Sequence, residues 1–304
     1  MYSAEQIDSY LSRISFPVKK YPKSTVAADR VDESFKYLSQ LQKCHLSSIP
    51  FENLALHYSP APKISLDKDI VYDKIVRKAR GGYCMELNLL FANVLKGLGY
   101  EVVQTGARVF GASGELDGWN HQVNLVRIGD TIYAVDVGFG GPGQTRPLPL
   151  TTGVISKWGA TNAETRLRFQ EPSNPMVQGL WFYEHRISES HPWSPIYCFG
   201  MTEFLPNDFQ VMSFAVSASR ASWFTYKVLC MKMLLDEEKD DITGIVVLTD
   251  KIVKRRVQDK SEILAECTTE EQRVAALKEH FGIVLSREEQ AGIKGTAGEL
   301  KGEA

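Results

Sequence analysis

The sequence predicts an α+β protein in which helices come first, strands follow, and a mixed helix–strand part closes the chain. Three observations carry this prediction. Apolar residues recur every three or four positions through much of the first hundred residues. From Tyr100 the chain turns to runs of β-branched residues separated by glycine-containing turns. After Met201, two strand-like runs flank a charged turn, and a helix with a capped start follows. The 304 residues suffice for one large domain or for two to three closely packed ones. The changes of character divide the chain at 1–99, 100–200 and 201–304.

In "RVDESFKYLSQLQKCHL" the residues Val31, Phe35, Leu38 and Leu41 mark one helical face, and Pro50 in "SIPFENLALH" breaks the pattern. "DIVYDKIVRKA" is a shorter helix ending at Gly81-Gly82. Helical spacing resumes from Tyr83 through Leu87, Phe91, Val94, Leu95 and Leu98, with Gly99 placed as the C-terminal glycine. "YEVVQTGARVF", "HQVNLVRI" and "TIYAVDVGF" read as strands, "GFGGPGQTRPLPL" as a loop, and "TRLRFQ" and "LWFYEHRI" as further strands. "YKVLCMKMLL" and "GIVVLTD" flank the turn "DEEKDD". Thr268 and Glu271 have capping-box spacing for a last helix closed by Gly282. The tail "REEQAGIKGTAGELKGEA" has few core-formers and is expected to be mobile.

A net charge of −2 and the lack of a basic run argue against nucleic-acid binding. The start, with Glu5, Asp8 and Arg13 among apolar residues, does not read as a signal peptide, and no run reaches membrane-span length. A cytoplasmic protein is expected. Five widely spread cysteines (Cys44, Cys84, Cys198, Cys230 and Cys267) form no Cys-x-x-Cys pair, so neither a disulfide framework nor zinc, nor any other metal site, is expected. There is no phosphate-loop lysine motif, dinucleotide fingerprint or internal repeat.

Cys84 stands just past two glycines at the start of an apolar helix in "RGGYCMELN". A nucleophilic thiol needs a base, and the base needs an orienting group. His121 opens one strand, and the next carries an acid, Asp136, where an apolar residue would fit. Gly129-Asp130 between them suits a type II′ hairpin turn. That turn sets Ile128 opposite Thr131 and Val123 opposite Asp136, so His121 and Asp136 become diagonal neighbours on one face. Such positions lie about 7–8 Å apart, within reach of a carboxylate–imidazole bond. The plain alternatives are a core cysteine, an edge-strand histidine, and an aspartate that ends its strand and caps the Gly138 loop. The three together favour a Cys–His–Asp triad, with the helix start and an imidazolium both stabilising a thiolate.

With "PFENL" (Pro50–Leu54), "RGGYCMELN" (Arg80–Asn88), the histidine strand and "VDVGFGG" (Val135–Gly141) in order, the chain resembles the arylamine N-acetyltransferases. The resemblance is strong from about Ile49 to Gly141 and weak beyond Met201. It implies an N-terminal helical bundle, a central β-barrel and a C-terminal α/β lid around a catalytic core like that of cysteine proteases and transglutaminases. It also implies the triad Cys84, His121 and Asp136, the set reached from the residues. The implied activity is ping-pong transfer of an acetyl, or malonyl, group from coenzyme A to an aromatic amine, hydroxylamine or hydrazine, as in xenobiotic metabolism. No permanently bound cofactor is implied.

Matching family positions make Phe51 and Phe139 acceptor-pocket walls, against the alternative of core packing. "FGASG" (Phe110–Gly114) is a short loop whose Gly111 and Ser113 are candidate contacts to coenzyme A, against an ordinary turn. In "SRASWF", Ser222 and Phe224 fall near the pantetheine channel. There Arg220, Ala221 and Trp223 replace small hydroxyl residues, making Arg220 a candidate to pair with a malonyl carboxylate, against a solvated surface arginine. The region from about Leu150 to Gly200 reads as an insertion near the donor site. An ion pair between Glu52 and Arg80 is expected to brace the cysteine turn. The competing readings are a papain- or transglutaminase-like hydrolase using the same triad, and a non-enzymatic binding module.

Overall fold

The computed structural model describes residues 1–26, 29–111, 113–258 and 260–301. The first part contains α1 (Ala4–Arg13), α2 (Val31–Ser48), the two-residue strand β1 (Phe51–Glu52), α3 (Lys68–Tyr72) and α4 (Cys84–Leu98). Helix α1 starts at Ser3, whose hydroxyl accepts from the Gln6 N–H while Gln6 accepts from the Ser3 N–H. Helix α2 buries Leu38 and Leu41, whereas Val31 is exposed at its start. Asp67 caps α3, which continues into a π-type turn over Asp73–Arg77. Helix α4 ends at Gly99, left-handed at φ +99°.

Eight strands follow: β2 (Glu101–Phe110), β3 (Leu116–Ile128), β4 (Thr131–Val135), β5 (Leu148–Pro149), β6 (Ile155–Lys157), β7 (Glu164–Gln170), β8 (Leu180–Arg186) and β9 (Ser194–Phe199). They form one antiparallel sheet in the order β5-β4-β3-β2-β9-β8-β7-β6, curled into a nearly closed barrel. Ala107, Val123, Leu125, Tyr183, Tyr197 and Phe199 share its core. The stretch from Leu150 to Gly200 thus supplies barrel wall, strands β6 to β9. The sequence hid β9 behind its Pro195, and β6 is only three residues long.

The third part holds α5 (Pro206–Ala218), strands β10 (Leu229–Asp236), β11 (Asp241–Thr249), β12 (Ile252–Val257) and β13 (Lys260–Glu266), then α6 (Glu270–Phe281) and α7 (Arg287–Gly292). The strands make an antiparallel sheet in the order β1-β10-β11-β12-β13. Its first strand comes from the helical part of the chain: Phe51 pairs with Met231, and Glu52 with Cys230.

Two expectations need correction. Helix α6 is capped by Thr269 with Gln272, one residue later than the Thr268–Glu271 pair: the Thr269 hydroxyl accepts from the Gln272 N–H, and Thr269 has the extended backbone a cap requires. The tail is also not a loose end as far as Lys301. Ser286 caps α7, Ile293 is buried, and the wholly buried Arg273 donates to the carbonyls of Asp250 (3.0 Å) and Gly298 (2.7 Å). The Gly298 carbonyl on this buried guanidinium and the buried Ile293 hold a tail otherwise poor in core-formers.

One close approach fixes the turn before α4. The Glu52 N–H donates to Gly82 O (2.9 Å) and the Gly82 N–H to Pro50 O (3.3 Å), a parallel bridge between Phe51 and Gly82. A Cβ on Gly81 would stand 2.0 Å from the Pro50 carbonyl oxygen, so no side chain fits. Gly81→Ala is therefore expected to lower stability by about 3 kcal/mol or more, read as a shift of the urea midpoint at unchanged slope. A loss below about 1 kcal/mol would show that the turn tolerates a methyl group.

Candidate active site

The Gly81–Gly82 turn delivers the chain to the first turn of α4, where Glu86 accepts from the Tyr83 N–H (3.1 Å) and from Lys74 Nζ (2.9 Å). Burial raises the Glu86 carboxyl, with Lys74 opposing. Cys84 opens this helix, buried, its thiol 3.7 Å from the carbonyl oxygen of Asn120 on β3. The next residue along β3 is His121, buried beside the thiol, which helps to hold the imidazole's proton.

The Gly129–Asp130 turn holds as drawn from the sequence: Ile128 faces Thr131, and the register runs to Asn124 opposite Val135. Gly129 has φ +57° while Asp130 does not have positive φ, as a type II′ turn demands. Asp136 lies one residue past the end of β4. It does what both sequence readings asked: it accepts from the Gly138 N–H (2.8 Å), and its Oδ2 lies 2.8 Å from His121 Nε2. His121 thereby keeps its other ring nitrogen, Nδ1, for the thiol.

Burial alone would strip His121 of its proton, but the Asp136 carboxylate, and Cys84 after it, push its pKa up to about 10. The carboxyl of Asp136 is held below its usual range by the imidazolium and by bonds from Asn88 and Gly138, against the opposing effect of burial. Burial pushes the Cys44 thiol up to about 11 and raises those of Cys198, Cys230 and Cys267.

Three residues that hold this arrangement carried no role in the sequence reading. Asn88 lies one turn after Cys84 on α4 and donates to Asp136 Oδ1 (2.9 Å) and Gln122 O (2.7 Å), while its Oδ1 accepts from the Val137 N–H (3.1 Å). Gln42 of α2 donates to the Asp136 carbonyl (3.0 Å), and the Tyr197 ring packs 5.1 Å from the imidazole. The available signal was Asn88 itself, a buried-face amide at i+4 from the cysteine in an apolar helix.

Glu52 and Arg80 pair as expected, at 3.4 Å, and Arg80 also binds Glu289 of α7. Phe51 stands 6.1 Å from Phe224, which stacks on Trp223 (3.9 Å) and meets Tyr83 (6.2 Å). Phe139 instead packs edge-on to His121 at 5.4 Å. The two proposed acceptor phenylalanines thus contact different partners in the site. Ser222 precedes the short turn Trp223–Thr225, which Asn53 holds through the carbonyls of Phe224 (2.8 Å) and Lys227 (2.7 Å). Arg220 is exposed and, among the described residues, makes no ion pair. In the loop Phe110–Gly114, Ala112 lies outside the described residues. The Gly111 N–H donates to Glu115 O (2.8 Å) and the Gly114 N–H to Gly111 O (2.9 Å), so both amides serve the turn itself. Ser113 Oγ accepts from the Glu115 N–H (3.4 Å).

A family model described as N-acetyltransferase matches residues 34–290. The chain is similar to an N-malonyltransferase of Fusarium pseudograminearum, 36% identical over 96% of this chain and 92% of that protein. It is also similar to the liver isozyme of arylamine N-acetyltransferase from Gallus gallus, 29% identical over 92% of this chain and 96% of that one. Among solved structures, the arylamine N-acetyltransferase of Salmonella typhimurium superposes with a TM-score of 0.78 at 26% identity, covering 96% of this chain and 98% of that one. The Mycobacterium marinum enzyme in complex with CoA superposes with a TM-score of 0.76 at 25% identity, covering 95% and 99%. This chain, with a cysteine-protease-like core, belongs to the arylamine N-acetyltransferase family.

Proposed function

We propose that this acyl-CoA-dependent N-acyltransferase works through Cys84, His121 and Asp136, carrying a short acyl group from coenzyme A to an aromatic amine, hydroxylamine or hydrazine. The observation that carries the residue assignment is the buried His121–Asp136 pair at 2.8 Å, with the Cys84 thiol 3.7 Å from the carbonyl of Asn120, the residue before His121. In the first half-reaction the Cys84 thiolate attacks the thioester carbonyl, the bond to the coenzyme A sulfur breaks, and His121 gives its proton to that sulfur. First-turn N–H groups of α4 are suited to the oxyanion, since a helix N-terminus has free donors. In the second, the amine nitrogen attacks the acyl-Cys84 carbonyl, His121 takes the amine proton, and the thiolate leaves. Asp136 keeps the imidazole oriented and stabilises its cationic form throughout.

Phe51 and Phe139 are proposed to face the aryl ring, and Ser222 and Phe224 the pantetheine arm. Gly111 and Ser113 are proposed to meet the donor through side-chain or carbonyl contacts, because the loop's own turn uses the glycine amides. For the donor, the similarity to a named N-malonyltransferase and the exposed cation at Arg220 favour malonyl-CoA beside acetyl-CoA. A cytoplasmic enzyme is proposed; no helix among the described residues is long and apolar enough to cross a membrane.

Coenzyme A release from acetyl-CoA and malonyl-CoA, with and without an arylamine, tests the scheme. Parallel double-reciprocal lines and complete loss in Cys84→Ala are expected; turnover of peptide amides in place of either thioester would install the hydrolase reading. Arg220→Ala is expected to lower malonyl transfer about tenfold and to spare acetyl transfer. Equal losses for the two donors would remove Arg220 from donor choice.

The raised His121 pKa also sets a direction in pH. Its stabilisation is fully present below about pH 6.5, fades as pH rises, and is lost above about pH 10. Urea unfolding of wild type and His121→Gln should therefore show a stability difference that shrinks from pH 6 towards pH 10. A difference that grows over this range would contradict the imidazolium assignment.

A further inference from the structure

We propose that Glu289, on the short C-terminal helix α7, is a positioning residue for the Cys84 nucleophile and acts through Arg80. The proposal rests on the reading of Cys84 as the reactive thiol. The Glu52 carboxylate sits under the cysteine turn with three tasks. It accepts from the Leu54 N–H (2.5 Å), from the Gly81 N–H (3.2 Å) and from Arg80 Nη2 at the longer distance of 3.4 Å. The first holds Glu52's own segment, the second ties it to the segment across the Phe51–Gly82 bridge, and the third is a charge contact inside the protein.

A guanidinium with the Arg80 side chain only 7% exposed needs strong acceptors. If Glu52 were its one carboxylate, the attraction would close the 3.4 Å gap and draw Glu52 away from the Gly81 N–H. Glu289 prevents this by taking Nη1, while Glu52 has Nη2. Arg80 then rests between two carboxylates from distant parts of the chain, and Glu52 stays with the amides that set the turn. Gly81 is three residues from Cys84, and the steric limit at Pro50 leaves the turn no slack. A shift at Gly81 is passed to the start of α4 and alters the distance from the thiol to His121.

Glu289 serves both Arg80 and the start of its own helix. Its Oε2 accepts from the Ser286 N–H (2.8 Å) in the α7 cap, and its side chain is 33% exposed. Glutamine keeps the acceptor for the Ser286 N–H, so Glu289→Gln removes the charge facing Arg80 without removing the cap.

The test is the rate of Cys84 alkylation by iodoacetamide, followed by peptide mass spectrometry from pH 6 to 9 beside the melting temperature. Glu289→Gln keeps length and an acceptor oxygen but drops the charge, and is expected to slow alkylation about tenfold at temperatures where its melting curve shows the variant still folded. Glu289→Asp keeps the charge and should recover most of the rate; Glu288→Gln, on the neighbouring exposed carboxylate, should match wild type. Wild-type alkylation in Glu289→Gln, or a Glu289→Asp variant no faster than Glu289→Gln, would overturn the proposal. If Glu289→Gln does not fold, Arg80→Lys decides, because it keeps the charge but not the fork that meets both carboxylates: slowed alkylation is expected, and a wild-type rate and pH profile overturn the proposal. Alkylation needs neither acyl donor nor amine, so failure here is distinct from failure of the transferase assignment.

Discussion

The structure is organised around one buried carboxylate. Asp136 is 1% exposed, and a charge so placed is costly unless every oxygen has a partner. The partners come from several elements: His121 on β3, Asn88 on α4, Gly138 in the following loop, and Gln42 of α2 on the backbone carbonyl. Satisfying Asp136 therefore docks the helical part onto the barrel in one register. The same docking brings the start of α4, and with it Cys84, against Asn120 and His121. Close packing leaves no room for another arrangement: a Cβ on Gly138 would come within 2.8 Å of Cys84 Cα.

The second constraint is the joining of sheets and helices around the cysteine turn. Strand β1 belongs by sequence to the helical part and by hydrogen bonding to the C-terminal sheet. The "PFENL" motif is thus a splice between two parts of the fold. Its Glu52 holds the turn, and Asn53 exchanges bonds with Leu229 while holding the carbonyls of Phe224 and Lys227. The walls of the site are in this way referred to the same short segment as the nucleophile. Buried polar groups with full partners specify geometry, and here that geometry is what the acyl-transfer chemistry requires.

Much of this was legible in the sequence because it rests on local rules. The Gly129–Asp130 turn sets a hairpin register by its backbone twist alone, and that register brings His121 beside Asp136. Gly99 and Gly282 stop their helices through left-handed conformations that only glycine adopts cheaply. What stayed hidden depends on distant contacts. Strands β12 and β13 expose most of their side chains, so charges mask the alternation that marks a strand. Helix α5 leaves Val211 and Phe214 exposed, which blurs its apolar face. The tail reads as poor in core-formers, yet it is secured by Arg273 and by Glu289 on Arg80, pairings separated by 25 and 209 positions that no local pattern announces. Asn88 was visible as a letter within a motif, but its role depends on where Asp136 arrives.

The catalytic role of the triad depends on the charge state that Asp136 imposes on His121. Ring-labelled histidine NMR at pH 8 reads it directly. Wild type should show a protonated His121 imidazolium, and Asp136→Asn, which keeps the shape but removes the charge, should show a neutral ring. A neutral His121 in the wild type, or an imidazolium unchanged in Asp136→Asn, would contradict it.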